Sequence, residues 1–190
     1  MESNLYIQEL NIPVPFIPYD ISADVERSNR NLTIVKYELS MINEEYRDWF
    51  TQYKIRIGNG WIFYAPPGAK YNLHVDVANP NPNNFAKINY VVGGKDSHMI
   101  WYELLPGRNS YKYQDQAGNT VIGYKIEDCV EVHRAHVQSP SLINVGTIHT
   151  MHNPTEPRIA YTTFMMDLDD GHRLTFTEAA DRLSTVISTS

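Results

Sequence analysis

From Ile55 to Met166 the chain is written in short β-branched and aromatic runs cut apart by Pro, Gly and Asn clusters. The runs are Trp61–Tyr64, Tyr71–Ala78, Lys87–Val92, Met99–Leu105, Ile122–Ile126, Val130–Val137, Ser141–Val145 and Arg158–Met166. No long helical pattern alternates with them, so a doubly wound parallel sheet is excluded and an antiparallel sandwich or barrel is expected. Before this region, Leu32–Leu39 reads as a strand and Met41–Tyr53 as an amphipathic helix. After it, Thr177–Ile187 reads as a short helix with Thr177 as its cap, since Ala179, Ala180, Leu183 and Ile187 fall near one face.

The 190 residues suit a single domain over 1–190, long enough to bury a core without a disulfide or structural metal. The one cysteine, Cys129, supports neither a disulfide nor a thiolate zinc site and reads as a packing residue, so a bound metal would be functional and held by some of the seven histidines. The start Met1-Glu-Ser-Asn4 lacks a basic segment followed by an apolar run, and no stretch reaches the ~18 apolar residues of a membrane span. The expectation is a cytoplasmic protein with no membrane partner. With 22 acidic against 16 basic side chains the net charge is −6, which supplies no general attraction to nucleic acid.

Period-two alternation along Tyr71–Ala78 sends His74 and Asp76 to one face and Leu73, Val75 and Val77 to the other. On an interior face an imidazole and a carboxylate would cost several kcal/mol without partners, and a divalent cation removes that cost. Two histidines and one carboxylate on adjacent positions form the facial set that holds Fe(II) and leaves the opposite positions open. Taken alone, His-x-Asp reads first as a hydrogen-bonded surface pair, since such tripeptides arise often by chance. Downstream, the apolar run Leu142–Ile148 ends in His149, followed by His152, a Pro-rich turn and Arg158 at the head of the next strand. That order brings a third ligand and a fixed cation towards one pocket.

These residues carry a family resemblance. His74-Val-Asp76, a distal His149 and Arg158 nine residues beyond it resemble the 2-oxoglutarate and Fe(II)-dependent dioxygenases of the double-stranded β-helix (jelly-roll) fold. The likeness is greatest to short prolyl-hydroxylase-like and aspartyl/asparaginyl-hydroxylase-like proteins of bacteria and phages, and the run Tyr64-Ala-Pro-Pro-Gly68-Ala-Lys-Tyr71-Asn-Leu-His74 resembles their approach to the first histidine. The resemblance covers about 61–166 and implies a mainly β jelly-roll core, with the N-terminal helix and the short C-terminal helix flanking it.

It further implies that His74, Asp76 and His149 bind Fe(II), and that Arg158 meets the distal carboxylate of 2-oxoglutarate, for which a planar, permanently charged fork is suited. Tyr64 is the first choice for an assisting hydroxyl, Tyr71 the second, and Thr162 shares strand parity with Arg158. His152 stands as the alternative distal ligand; a continuous strand would send it to the face opposite His149. The implied reaction consumes O2 and 2-oxoglutarate, releases succinate and CO2, and hydroxylates an organic or peptidyl substrate. An amino-acid side chain is favoured over a nucleobase. Candidate rim residues are Asn79–Asn84, Trp101, Tyr102 and Arg108–Tyr113. A cupin-like metal-binding module and a non-catalytic jelly-roll interaction protein are the competing classes. The sequence assigns no oligomeric state. His98 reads as an exposed residue after a turn and His172 as part of one; His133 and His136 would face opposite sides of a strand and do not read as a chelating pair, and Asp169-Asp170 reads as a solvated turn.

Overall fold

A computed structural model describes residues 4–14, 33–69, 71–76, 85–114, 120–137, 140–152 and 155–188. The Asn79–Asn84 loop lies outside them. The described chain is mainly β, with twelve strands in two antiparallel six-stranded sheets. The first sheet has the order β1 (Ile7–Glu9), β10 (Ser141–Asn144), β5 (Ala86–Gly93), β12 (Arg158–Asp167), β3 (Ile55–Ala65) and β2 (Thr33–Tyr37). The second has the order β7 (Tyr111–Gln114), β8 (Thr120–Tyr124), β4 (Leu73–Val75), β11 (His149–His152), β6 (His98–Leu104) and β9 (Cys129–His136). No described helix is long and apolar enough to cross a membrane.

The alternation of side chains decides what each sheet faces. On β3, Ile55, Ile57 and Ile62 join Tyr37, Ile88, Leu142 and Met165 in a core on the outer side of the first sheet. Two helices close that side: α1 (Glu44–Thr51) contributes Tyr46 and Phe50, and α2 (Phe176–Arg182) contributes Phe176 and Ala179. A second core lies between the sheets, where Val91, Ile143 and Ala160 meet Met99, Trp101 and Met151. Trp101 is fully buried there and its Nε1 donates to the Asn144 carbonyl at 2.9 Å, so it packs the core and does not line a rim. The aromatic run around it gave no sign of which face was covered. Tyr102 is likewise buried, in a smaller cluster with Leu73, Val75 and Ile100 on the far side of the second sheet.

Local chemistry moves both helix boundaries from their expected places. Asn43 is the cap of α1, its side chain accepting from the Glu45 N–H at 2.8 Å, so the helix opens at Glu44 and residues Leu39–Met41 form a separate 3-10 turn. Thr175, not Thr177, caps α2. Its hydroxyl accepts from the Glu178 N–H while the Glu178 carboxylate accepts from the Thr175 N–H, a reciprocal pair that requires Glu three residues after the cap. Thr177 has Ala180 at that place. The helix ends at Arg182, and Ser184–Val186 forms a 3-10 turn.

One glycine locks β3 to β12. A Cβ on Gly60 would lie 1.8 Å from the Thr162 carbonyl oxygen and 2.3 Å from the Tyr37 hydroxyl. That hydroxyl donates to the same carbonyl at 2.6 Å in the buried core. Only a residue without a side chain lets Tyr37 reach across.

Candidate metal centre

A cavity of about 810 Å3 opens between the sheets, lined from the second sheet by His74, Asp76 and His149 and from the first by Lys87, Asn89, Arg158 and Thr162. His74 on β4 and His149 on β11 are directly opposite in the strand register, and their ring centroids are 4.5 Å apart. Asp76 follows His74 by two residues and so keeps its face; its N–H donates to the Val145 carbonyl at 3.0 Å, which anchors the strand end. One ligand atom from each of His74, Asp76 and His149 lies within 4.8 Å of the others.

Both imidazoles are oriented by the same device. Nδ1 of His74 donates to the Asn72 carbonyl at 2.8 Å, and Nδ1 of His149 donates to the Thr147 carbonyl at 2.9 Å. A carbonyl can only accept, so Nδ1 carries hydrogen in each ring and the electron pair available to a metal is on Nε2. Burial pushes His149 down to about 4, with the neighbouring His74 adding to the shift, so its neutral, ligating form prevails at pH 7. Burial also disfavours a charged His74, but the hydrogen bond and charge of Asp76 outweigh it and raise that pKa. His74 Nε2 lies 3.3 Å from Asp76 Oδ1. Asp76 is held well below the ordinary carboxylate range: burial opposes its charge, and Lys87, His74 and His149 overcome that. The Lys87 ammonium contacts Asp76 Oδ2 and lies over the rings of Phe164 and Phe63, at 4.9 and 5.9 Å from their centroids.

Arg158 stands at the head of β12 on the same inner face and is 4% exposed. Gly94 makes room for it, since a Cβ there would lie 2.8 Å from Arg158 Cβ on a backbone with φ of +61°. Burial lowers the guanidinium to about 10, leaving it charged at neutral pH, and Tyr71 is near enough to feel that charge. Burial also pushes the Tyr71 phenol up, so it stays a hydroxyl donor. Six buried side-chain polar atoms lack a hydrogen-bond partner among the described residues, and three of them, Arg158 Nε, Tyr71 Oη and Asn89 Oδ1, line this cavity. Each such atom costs roughly 1–3 kcal/mol, so unpaired Arg158 and Tyr71 near each other favour a polar ligand at that end of the cavity. Among the described residues, the charged side chains lining the cavity are one acid, Asp76, and five bases, Lys36, Arg56, Lys87, Arg158 and Arg173, which favours an anion.

The expected residues therefore divide. His74, Asp76, His149, Arg158, Tyr71 and Thr162 reach the cavity, and the Thr162 hydroxyl donates to the Trp61 carbonyl at 3.3 Å. Tyr64 does not: it packs with the core on the helix side of the first sheet, because strand parity sends Trp61 and Phe63 inward and Tyr64 outward. His152 is exposed on the outer face of β11, opposite His149. Of the rim candidates Arg108–Tyr113, Tyr113 lines the cavity. Lys87 and Asn89 were missed. Polar Lys87 and Asn89 alternating with Ile88 on a buried strand were the available signal, the same signal that marked His74 and Asp76.

A second cluster, Asp167, Asp170 and His172, gathers possible ligands near the end of β12. Its atoms are already engaged. Asp167 Oδ1 accepts from the N–H groups of Asp169 and Asp170 at 2.7 and 3.0 Å, Oδ2 accepts from Arg182 at 2.6 Å, and Asp170 meets His172 at 2.6 Å. It is a turn, as Asp169-Asp170 suggested. The chain matches no protein-family model and no curated protein.

Proposed function

We propose that this protein is an Fe(II)- and 2-oxoglutarate-dependent dioxygenase that hydroxylates an amino-acid or peptidyl side chain, the two sheets being the faces of a jelly-roll. The observation that carries the reading is one cavity holding a two-histidine, one-carboxylate set and, apart from it, a buried guanidinium with no acid as partner among the described residues. Buried Asp76 needs a counter-charge, and Arg158 does not supply it. Lys87 does that instead, and Arg158 is left for an anion from outside.

The donor set suits Fe(II): two imidazole nitrogens and one carboxylate, with no thiolate among the described residues of the cavity lining. His74 and His149 would ligate through Nε2, held by the carbonyls of Asn72 and Thr147, and Asp76 through the oxygen turned towards His74. Bound iron supplies open positions at which O2 and 2-oxoglutarate react, giving succinate, CO2 and a hydroxylated product. Arg158, with the Tyr71 hydroxyl, would orient the distal carboxylate of 2-oxoglutarate. Trp61, Phe63, Phe85 and Phe164 give the cavity apolar walls that exclude water around the reacting carbon. We place the enzyme in the cytoplasm, whose reducing conditions preserve Fe(II) and the lone thiol.

Anaerobic Fe(II) plus 2-oxoglutarate should give a weak visible charge-transfer band, and aerobic incubation should release succinate. His74→Ala and Asp76→Ala should abolish both, whereas Arg158→Ala should keep the metal and raise the 2-oxoglutarate requirement by roughly tenfold or more, as expected when a bidentate charged contact worth above 1.4 kcal/mol is lost. Full succinate release by either triad variant would overturn the proposal. An unchanged 2-oxoglutarate requirement in Arg158→Ala would remove Arg158 from the co-substrate site.

A further inference from the structure

Three of the seven histidines meet on the outer face of the second sheet, away from the cavity. In the β6–β9 register His98 is opposite His136, and in the β6–β11 register His98 is opposite His152. The three therefore form one row across β9, β6 and β11. Parity separates this row from the site between the sheets: Met99 and Met151, the adjacent residues, point into the inter-sheet core, and His149 lines the cavity on the same strand as His152. The rings of His98 and His136 are already in contact, with centroids 3.9 Å apart. His136 and His152 are exposed, and rotation of these two side chains is what would bring the ring nitrogens, which are not gathered within 4.8 Å of one another, to a common point.

A second observation points to a ligand. Nδ1 of His98 donates to the carbonyl of Asp96, two residues back, at 3.0 Å. This is the orientation device found at His74 with Asn72 and at His149 with Thr147. It places the free electron pair of His98 on Nε2, turned away from its own loop, in the middle of the row. Charge around the row permits a cation. Arg134, the one basic side chain on this face of β9 beside it, is held in a two-pronged pair by Glu131 at 2.8 Å, and the Asp96 carboxylate is occupied by the Thr155 hydroxyl at 2.5 Å. No acid pairs with any of the three imidazoles among the described residues.

We propose that His98, His136 and His152 form a surface site for a divalent transition-metal ion of the zinc, nickel and copper class. Imidazole nitrogen suits these ions, whereas Mg2+ and Ca2+ require oxygen ligands that the row does not offer. Neighbouring strands are about 4.8 Å apart, so side chains from the two outer positions can close on an ion above His98 with metal–nitrogen distances of roughly 2.1 Å. Because β9 is the edge of its sheet, the ion ties the edge strand to β6 and β11. Metal binding there stabilises the folded chain, which alone brings the three strands into register. The site is independent of the proposed dioxygenase chemistry.

The test is a Zn2+ titration of the metal-free full chain against a chelating indicator. Wild type should take two equivalents; His98→Ala with His136→Ala should remove one, and His149→Ala should remove the other. An unchanged stoichiometry in the double variant overturns the surface site. If wild type takes a single equivalent, the variant that abolishes it decides: loss in the double variant upholds the row and refutes the central metal, and loss in His149→Ala does the reverse. His152→Asn should weaken the surface equivalent by at least about tenfold, since even outer-shell partners of metal ligands are worth that much. An unchanged affinity overturns the three-ligand assignment. Paramagnetic Ni2+ added to unsubstituted, 15N-labelled protein needs no variant to fold. Broadening at residues 134–136 and 98 supports the site, and sharp signals there at saturating Ni2+ refute it.

Discussion

Lys87 has the most exacting position of any single residue. Its ammonium is buried against Asp76, a proposed metal ligand, and between two phenylalanine rings. A lysine is seldom buried without a partner, so Asp76 and Lys87 sustain each other before any ion arrives. A divalent cation must then share Asp76 with an ammonium. Lys87→Met should destabilise the metal-free protein by on the order of 3 kcal/mol, because a mostly buried carboxylate loses its counter-charge. The same change should tighten Co2+ binding, because the competing cation is gone. Urea unfolding with and without Co2+ measures both: the metal-dependent gain in stability should be larger in the variant than in wild type. An equal gain would show that Lys87 does not compete for Asp76.

At the scale of elements, what could be read from the chain depended on whether the signal was local. Strand parity is local, so the separation of His149 from His152 and the shared face of His74 and Asp76 were legible before any fold was known. The same rule applied to β3 would have turned Tyr64 away from the pocket; Tyr64 was chosen on family likeness, and parity overrides it. Strands β1, β7 and β11 were missed, at three, four and four residues, because so short a run has no periodicity to detect. The cap of α2 was legible and misread, since Thr175-Phe-Thr-Glu178 contains the reciprocal pair. Thr175→Ala should therefore cost about 1 kcal/mol in thermal or urea unfolding. Thr177→Ala, an exposed position in the first turn, should change stability by less than about 0.5 kcal/mol. Equal effects would refute the assignment of the cap.

On the scale of the whole molecule, Asp167 joins pieces that are far apart in the chain. It ends β12, accepts from the backbone of its own turn, and pairs with Arg182 at the end of α2. The N–H groups of Asp170 and Asp169 and the Arg182 guanidinium hold its carboxyl well below the usual carboxylate range. A depressed folded-state pKa contributes stability that is complete above the unfolded value of 3.8 and is lost as pH falls below it. Asp167→Asn should thus be less stable than wild type at pH 7, and the difference should shrink steadily below about pH 3.8. A difference independent of pH in urea unfolding would assign the loss to geometry and not to charge.

By itself the sequence determined the mainly β class, the pairing of His74 with Asp76 on one face, and the distinction between His149 and His152. All of these follow from a backbone that alternates its side chains every residue, a rule that needs no partner strand. Only the tertiary structure decided that His149 lies opposite His74, that Lys87 and not Arg158 neutralises Asp76, and that Arg158 is buried near Tyr71 with its Nε unpaired. It also brought His98, His136 and His152 into one row. These depend on register between strands distant in the chain, and register is set by how whole faces pack together, which no stretch of residues specifies alone.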